Sequence, residues 1–263
     1  MRSFIITPIL SFAAALLLGA CARPVRTIEC PIMHSAPVPR GLLFLSADIA
    51  GVSRHYALYI PREYDAGKPW PLVVFLNGSG ECGTDGIRQA AVGLGPAILA
   101  NPERWPCVVL FPQKPDQPSQ WDAHDALVMA LIESTRRELN IDPDRIMLTG
   151  LSQGGAGTWA IGANHPELFA ALAPVCGYGD PDKVAARSAT LPIWAFHGLR
   201  DDVVRPELTQ RIVDAVKAAQ AGGSRGPEPK LTLLPEANHN AWDPAYRNEE
   251  LPRWLLAQRR RAR

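Results

Sequence analysis

Gly150-Leu151-Ser152-Gln153-Gly154 fits the pattern G-x-S-x-G. It follows the apolar run Ile146-Met147-Leu148 and precedes an alanine- and glycine-rich stretch. A serine held between a strand and a helix in so tight a turn projects its hydroxyl out of the backbone, and the flanking glycines are there because side chains would clash. A serine hydroxyl is a weak nucleophile. It needs a histidine as base, and the histidine needs a carboxylate to fix its tautomer. The chemistry in question is therefore acyl transfer through a covalent intermediate.

Elbows of this kind carry their partners in the chain order serine, acid, histidine. Three histidines follow Ser152: His165, His197 and His239. His165 falls at the end of the helix after the elbow and reads as solvated. His197 ends the run Ile193-Trp194-Ala195-Phe196 and reads as a brace for the following loop. His239 sits in the polar loop Ala237-Asn238-His239-Asn240, directly after the last strand, where the base belongs. The acid is expected in His197-Gly198-Leu199-Arg200-Asp201-Asp202-Val203-Val204. The spacing G-x-x-D-x-x-V favours Asp201, which leaves Asp202 to cap the helix that begins near Pro206; Asp180 and Asp182 are the more distant choices. Two N–H donors should face the developing oxyanion. One is the backbone N–H of Gln153, the residue after the nucleophile. The other is placed at Ser79, in Asn77-Gly78-Ser79-Gly80-Glu81, for which a plain glycine turn is the alternative. The same chemistry needs no cofactor and no metal.

These side chains need a scaffold. Runs 71–76, 107–111, 145–149, 170–175, 192–196 and 230–234 are continuous and apolar, as strands buried on both faces of a parallel sheet are. Helical spacing recurs between them at 125–139, 158–164, 208–220 and 251–259. Two short runs, 42–49 and 56–60, separated around Gly51, read as an antiparallel hairpin. The expected fold is α/β, a three-layer sandwich with a mostly parallel sheet and an antiparallel start. The segment Gly177–Thr190 is too short for a large lid, so an open cleft is expected, suited to acyl groups on bulky or polymeric alcohols.

Seven tryptophans stand out in 263 residues, because two of them fall in loops expected at the cleft. Trp121 and Trp242 would offer aromatic faces for sugar or aromatic acyl groups there; loop packing is the other reading. Gln113, at the preceding strand end, joins them as a candidate substrate contact. Trp70, Trp105, Trp159, Trp194 and Trp254 read as packing.

The first twenty residues read as a signal segment. Arg2 precedes a short apolar run that ends Leu18-Gly19-Ala20-Cys21, which looks like the lipobox of bacterial lipoproteins and makes Cys21 the lipidated residue. Residues 21–40, with Pro24, Pro31, Pro37 and Pro39, form a tether, and 41–263 the catalytic domain. The expected location is extracytoplasmic, either anchored in a membrane by its lipid or secreted. Export permits disulfides, and one or two are expected among Cys30, Cys82, Cys107 and Cys176. With 27 basic and 26 acidic residues the chain is nearly neutral, which speaks against a nucleic-acid partner. The basic block Arg259-Arg260-Arg261 reads as a solvated tail.

Taken together, Leu76-Asn77-Gly78-Ser79-Gly80-Glu81, Gly150-Leu151-Ser152-Gln153-Gly154-Gly155, Phe196-His197-Gly198 with Asp201-Asp202, and His239-Asn240-Ala241-Trp242-Asp243 resemble bacterial α/β-hydrolases related to feruloyl and acetylxylan esterases and polyhydroxybutyrate depolymerases. The likeness spans about residues 41–258. It implies a carboxylic-ester hydrolase whose substrate is a small or polymer-linked ester, such as a feruloyl or acetyl ester of a carbohydrate. A peptidase on the same triad, or a dormant binding lipoprotein, are the competing readings. Relatives usually carry His at the position of Asn77, which leaves open how the oxyanion loop is held here.

Overall fold

The computed structural model describes residues 38–260. The signal segment 1–20, Cys21, Cys30 and most of the tether lie outside the described residues. In chain order the elements are β1 Gly41–Ile49, β2 Val52–Ile60, β3 Trp70–Leu76, α1 Leu94–Ala100, β4 Val108–Pro112, α2 Asp125–Glu138, β5 Ile141–Leu151, α3 Gln153–Asn164, β6 Ala171–Val175, α4 Pro181–Ser188, β7 Trp194–Gly198, α5 Pro206–Ala221, β8 Lys230–Leu234, α6 Trp242–Arg247 and α7 Glu250–Ala257. The eight strands form one sheet in the order β1-β2-β4-β3-β5-β6-β7-β8. β1 and β2 are antiparallel to each other, and β2 is antiparallel to β4; from β4 to β8 all pairs are parallel.

The apolar strands fall where their composition demands. β3, β4, β6 and β7 are buried along their whole length, because helices cover both faces of the sheet. Val73 and Phe75 point to the face packed by Leu94 and Ile98 of α1, Tyr246 of α6 and Leu255 of α7. Helices α2–α5 cover the opposite face. The β1–β2 hairpin turns at Ala50 and Gly51, with φ of 54° and 79°. Two successive positive φ values make the primed turn whose twist matches that of the strands.

Three expectations fail, each for a local reason. Cys82, Cys107 and Cys176 are free thiols buried in separate places, so no disulfide joins them. The C-terminal tail is docked. Arg259 Nη2 reaches Asp142 Oδ2 at 2.7 Å, and Arg260 Nη2 reaches Asp144 Oδ1 at 2.8 Å while Nη1 donates to the Glu167 carbonyl; Arg261 lies outside the described residues. Asp202 caps nothing: it is exposed, and α5 starts from Arg205 with no side-chain cap. The segment between β6 and β7 holds the two-turn helix α4, with Pro181 at its start and Asp180 as cap, and no large lid.

Candidate active site

The chain turns from β5 to α3 in a single residue. Ser152 has φ 54° and ψ −118°, a region that L-residues occupy only at a cost of about 1–3 kcal/mol. Its N–H donates to the Val175 carbonyl, and its own carbonyl accepts from Ala156. The glycines permit the close approach. A Cβ built on Gly154 would lie 1.9 Å from the Leu76 carbonyl oxygen, and one on Gly150 2.4 Å from that of Gly154. Both obstacles are backbone of the central strand and its helix, which cannot move aside. Gly154→Ala is therefore expected to lower stability by more than about 3 kcal/mol, read as a fall in the denaturant midpoint; a loss below about 1 kcal/mol would show that the elbow can open.

The loops after β7 and β8 bring the two partners to the serine. His239 Nε2 lies 2.9 Å from Ser152 Oγ, and its Nδ1 lies 2.7 Å from Asp201 Oδ2. A carboxylate only accepts, so Nδ1 holds the proton and Nε2 is left free to accept from the serine hydroxyl. Asp201 Oδ1 accepts the amide N–H groups of Val203 and Val204 at 3.0 and 2.8 Å. Burial alone would push this carboxyl up; the hydrogen bonds from His239 and the two amides outweigh it and hold Asp201 below the ordinary carboxylate range. The structure thus brings together the three residues chosen from sequence, and keeps Asp180 and His165 out. Asp180 caps α4, and His165 pairs with Asp125 at 2.8 Å.

His197 braces the loop, as its position suggested. It is fully buried, with Nε2 at 2.8 Å from the Val204 carbonyl and 3.1 Å from Asp201 Oδ2. Cys176 stands on the other side of the same carboxylate. Its Sγ donates weakly to the His239 carbonyl, and burial pushes its thiol up to about 12. Cys176, Asp201 and His239 are the one grouping among the described residues with metal-ligand proximity, and two of the three are already bonded to each other.

The loop 77–81, expected to carry the second oxyanion donor, is held by Asn77. Its side chain accepts from the Lys114 N–H through Oδ1 and donates to the Gly78 carbonyl through Nδ2; its backbone carbonyl accepts Trp121 Nε1–H at 2.9 Å. Ser79 opens a short 3-10 turn, Ser79–Glu81, and is exposed. The Gln153 N–H is the first of α3 and has no partner within the helix.

Two of the three expected substrate contacts are corrected here. Trp121 is 0% exposed, beneath its loop, where Gly157 of α3 leaves room for its ring. Its indole N–H is spent on the Asn77 carbonyl, and the ring lies beneath the cleft with no exposed surface. Gln113 is buried as well: its Oε1 accepts from the Gly86 N–H and its Nε2 donates to the Glu81 carbonyl. It ties down residues 81–86. Trp242 is half-buried against the core and stands edge-to-face on the His239 ring, with centroids 5.2 Å apart. Nothing in the residue pattern singles out Lys114. A lone lysine in a polar stretch reads as solvated, yet this one is 0% exposed, and its ammonium donates to the carbonyls of Asp116 and Ser119. Gln153 Nε2 donates to Gln117 and Ser119 carbonyls from the other side. The loop 114–119 is thereby wrapped around a cation and clamped to the first residue of α3. Beyond it opens a cleft of about 190 Å³ bordered by Gln120, Ala156, Tyr178 and Lys183. Ala156 is one helical turn from Ser152.

Comparisons with known proteins bear on the family and the fold. The dienelactone hydrolase family model matches residues 100–240, just over half of the chain. A crystal structure of a thermostable esterase is 34% identical, with a TM-score of 0.73 over 83% of this chain and 63% of that one. Poly(3-hydroxyalkanoate) depolymerase C of Paucimonas lemoignei is 25% identical over 193 residues, 68% of this chain and 43% of the relative. The bifunctional acetylxylan esterase/xylanase XynS20E of Neocallimastix patriciarum is 33% identical over 103 residues, 37% of this chain and 15% of the relative. The chain thus spans less than half the length of these two curated relatives. With its elbow, its eight-stranded sheet and this match, the chain belongs to the dienelactone hydrolase family, on the α/β-hydrolase fold.

Proposed function

We propose that the protein is a serine carboxylic-ester hydrolase that works through an acyl-enzyme on Ser152. The observation that carries this is the unbroken relay from Ser152 Oγ through His239 to Asp201, at 2.9 and 2.7 Å. In the proposed reaction His239 Nε2 takes the hydroxyl proton as Oγ attacks the ester carbonyl. The N–H groups of Gln153 and Ser79 receive the developing oxyanion. The alcohol leaves with the proton held by His239, and water then repeats the sequence to release the acid. Asp201 stays ionised and stabilises the imidazolium formed at each step.

An acyl ester of a carbohydrate is the proposed substrate. The cleft beside Ala156 is open and offers the Tyr178 hydroxyl and the Gln120 amide, which hydrogen-bond each other at 3.1 Å, and the Neocallimastix relative named above carries acetylxylan esterase in its name. Hydrolysis of a p-nitrophenyl ester series and methyl ferulate, beside a peptide panel and Ser152→Ala, tests the reading. Ester turnover that vanishes in the variant supports it. Peptide cleavage without ester turnover would replace it with a peptidase, and failure to react with a fluorophosphonate would replace it with a binding role.

The lipidated location belongs to the same proposal, on the strength of Leu18-Gly19-Ala20-Cys21. Cys21→Ser is expected to move the protein from the membrane to the soluble fraction of the producing bacterium; unchanged partition would remove the anchor from the picture.

A further inference from the structure

Two imidazoles stand against Asp201 Oδ2, one hydrogen-bonded to it through His239 Nδ1 and the other, His197, close by with its Nε2 donating to the Val204 carbonyl. His239 Nδ1 lies at 2.7 Å and His197 Nε2 at 3.1 Å, while Oδ1 is taken by two amide N–H groups. The usual account of a serine triad requires one histidine on this carboxylate, so the second needs an explanation. The surroundings of His197 dictate its proton. Nε2 faces only acceptors, the Val204 carbonyl and Asp201, and therefore carries hydrogen. Nδ1 lies 2.7 Å from Thr209 Oγ1, and that hydroxyl lies 2.7 Å from the Gly177 carbonyl. Ring and threonine are both fully buried. A line of close contacts thus runs from Gly177, which follows β6, through Thr209 of α5 and the His197 ring to the carboxylate behind His239; Thr209 has one proton for two acceptors, and with the ring neutral and its hydrogen on Nε2 that proton goes to Nδ1.

We propose that His197 is a positioning residue that sets how strongly Asp201 supports His239, by donating a second, weaker hydrogen bond to the same carboxylate oxygen. The inference rests on the triad reading above. A donor on Oδ2 draws off negative charge and lowers the carboxylate's hold on the imidazolium that forms at His239. Its loss should make that imidazolium easier to form. The titratable groups around the ring are Asp201 and His239, from the loops after β7 and β8, and Cys176, at the end of β6 beside the same carboxylate; α5 presents the Thr209 hydroxyl. Burial pushes the His197 ring down, against the pull of the Val204 carbonyl and Asp201, so near neutrality it acts as a neutral N–H donor.

The test compares His197→Leu and His197→Gln with the parent enzyme, following kcat and kcat/KM against pH. For H197L the acid limb of kcat/KM should move to higher pH by about half a unit or more. Its kcat on the plateau above that limb should hold or rise modestly with KM held, because the imidazolium forms more easily. H197Q places an amide N–H where Nε2–H stood, and should restore the limb toward the parent. A folded H197L with lower kcat and an unmoved acid limb would overturn the proposal and leave His197 as packing. Should H197L fail to fold, Thr209→Val carries the test. It removes the hydroxyl at the far end of the line and should shift the limb in the same direction by less; an unmoved limb overturns the proposal equally. If the parent turns over no ester, the esterase reading fails separately. NMR titration of the His239 ring in parent and variants then reads the same shift without substrate.

Discussion

Ser152→Ala is expected to abolish ester turnover, with kcat reduced by about four to six orders of magnitude, while leaving the fold in place. Oγ is the atom that would carry the acyl group, and its removal leaves His239 with nothing to activate. The neighbouring thiol cannot substitute: Cys176 is buried, and its raised pKa keeps it protonated. The variant loses one hydrogen bond, from Oγ to His239, worth about 1 kcal/mol. Alanine meets the same backbone strain at φ 54° as the serine does, so no new steric cost arises. The measurement is turnover of the preferred ester beside circular dichroism and fluorophosphonate labelling. A folded variant that retains even about 1% of the activity would require another nucleophile and end the proposed mechanism.

Asp201→Asn is expected to cost about three to four orders of magnitude in kcat, for a reason that can be counted. The carboxylate accepts on both oxygens: Oδ1 from the amides of Val203 and Val204, Oδ2 from His239, with the His197 Nε2–H 3.1 Å from Oδ2. An asparagine has one oxygen and one NH₂ group. If its oxygen keeps the two amides, its NH₂ faces two imidazole N–H groups. His239 can relieve the clash by moving its proton to Nε2, and then cannot accept from Ser152. If the amide turns over, its NH₂ meets the backbone N–H groups instead. Either arrangement also leaves buried polar groups badly matched, so stability should drop by about 1–3 kcal/mol. Kinetics and thermal unfolding of the variant check both parts. A loss in kcat below about tenfold would mean that Asp201 does not fix the tautomer, and would turn attention back to the loop around Asp180.

The overturned readings share a cause. Trp121 and Gln113 read as rim residues because each follows a strand end, and in this fold strand ends face the site. Both loops do lie there, but their side chains turn inward. Residues 113–122 lie along the N-terminal part of α3 and bury Trp121 against Gly157, a contact between segments more than thirty positions apart. No local pattern distinguishes a loop tryptophan that stacks on substrate from one that closes a core. Lys114 was invisible for the same reason: its partners are backbone carbonyls, which every sequence has. The departure at Asn77 from the usual histidine was visible, but how the loop is held instead depends on Trp121 and on the Lys114 amide.

What the residues alone determined is the scaffold, and they also singled out the candidate triad. The glycines around Ser152 specify a turn that no other spacing would permit. The apolar runs specify strands covered on both faces, and the order serine, acid, histidine follows from the strands that carry them. These are matters of local sterics and periodicity, which a sequence displays directly. Only the tertiary structure decided which side chains are spent on holding the loops, and that His197 comes to rest beside the carboxylate of Asp201. Those outcomes depend on where distant carbonyls and rings come to rest, and burial of a polar group is settled by the partners it meets there.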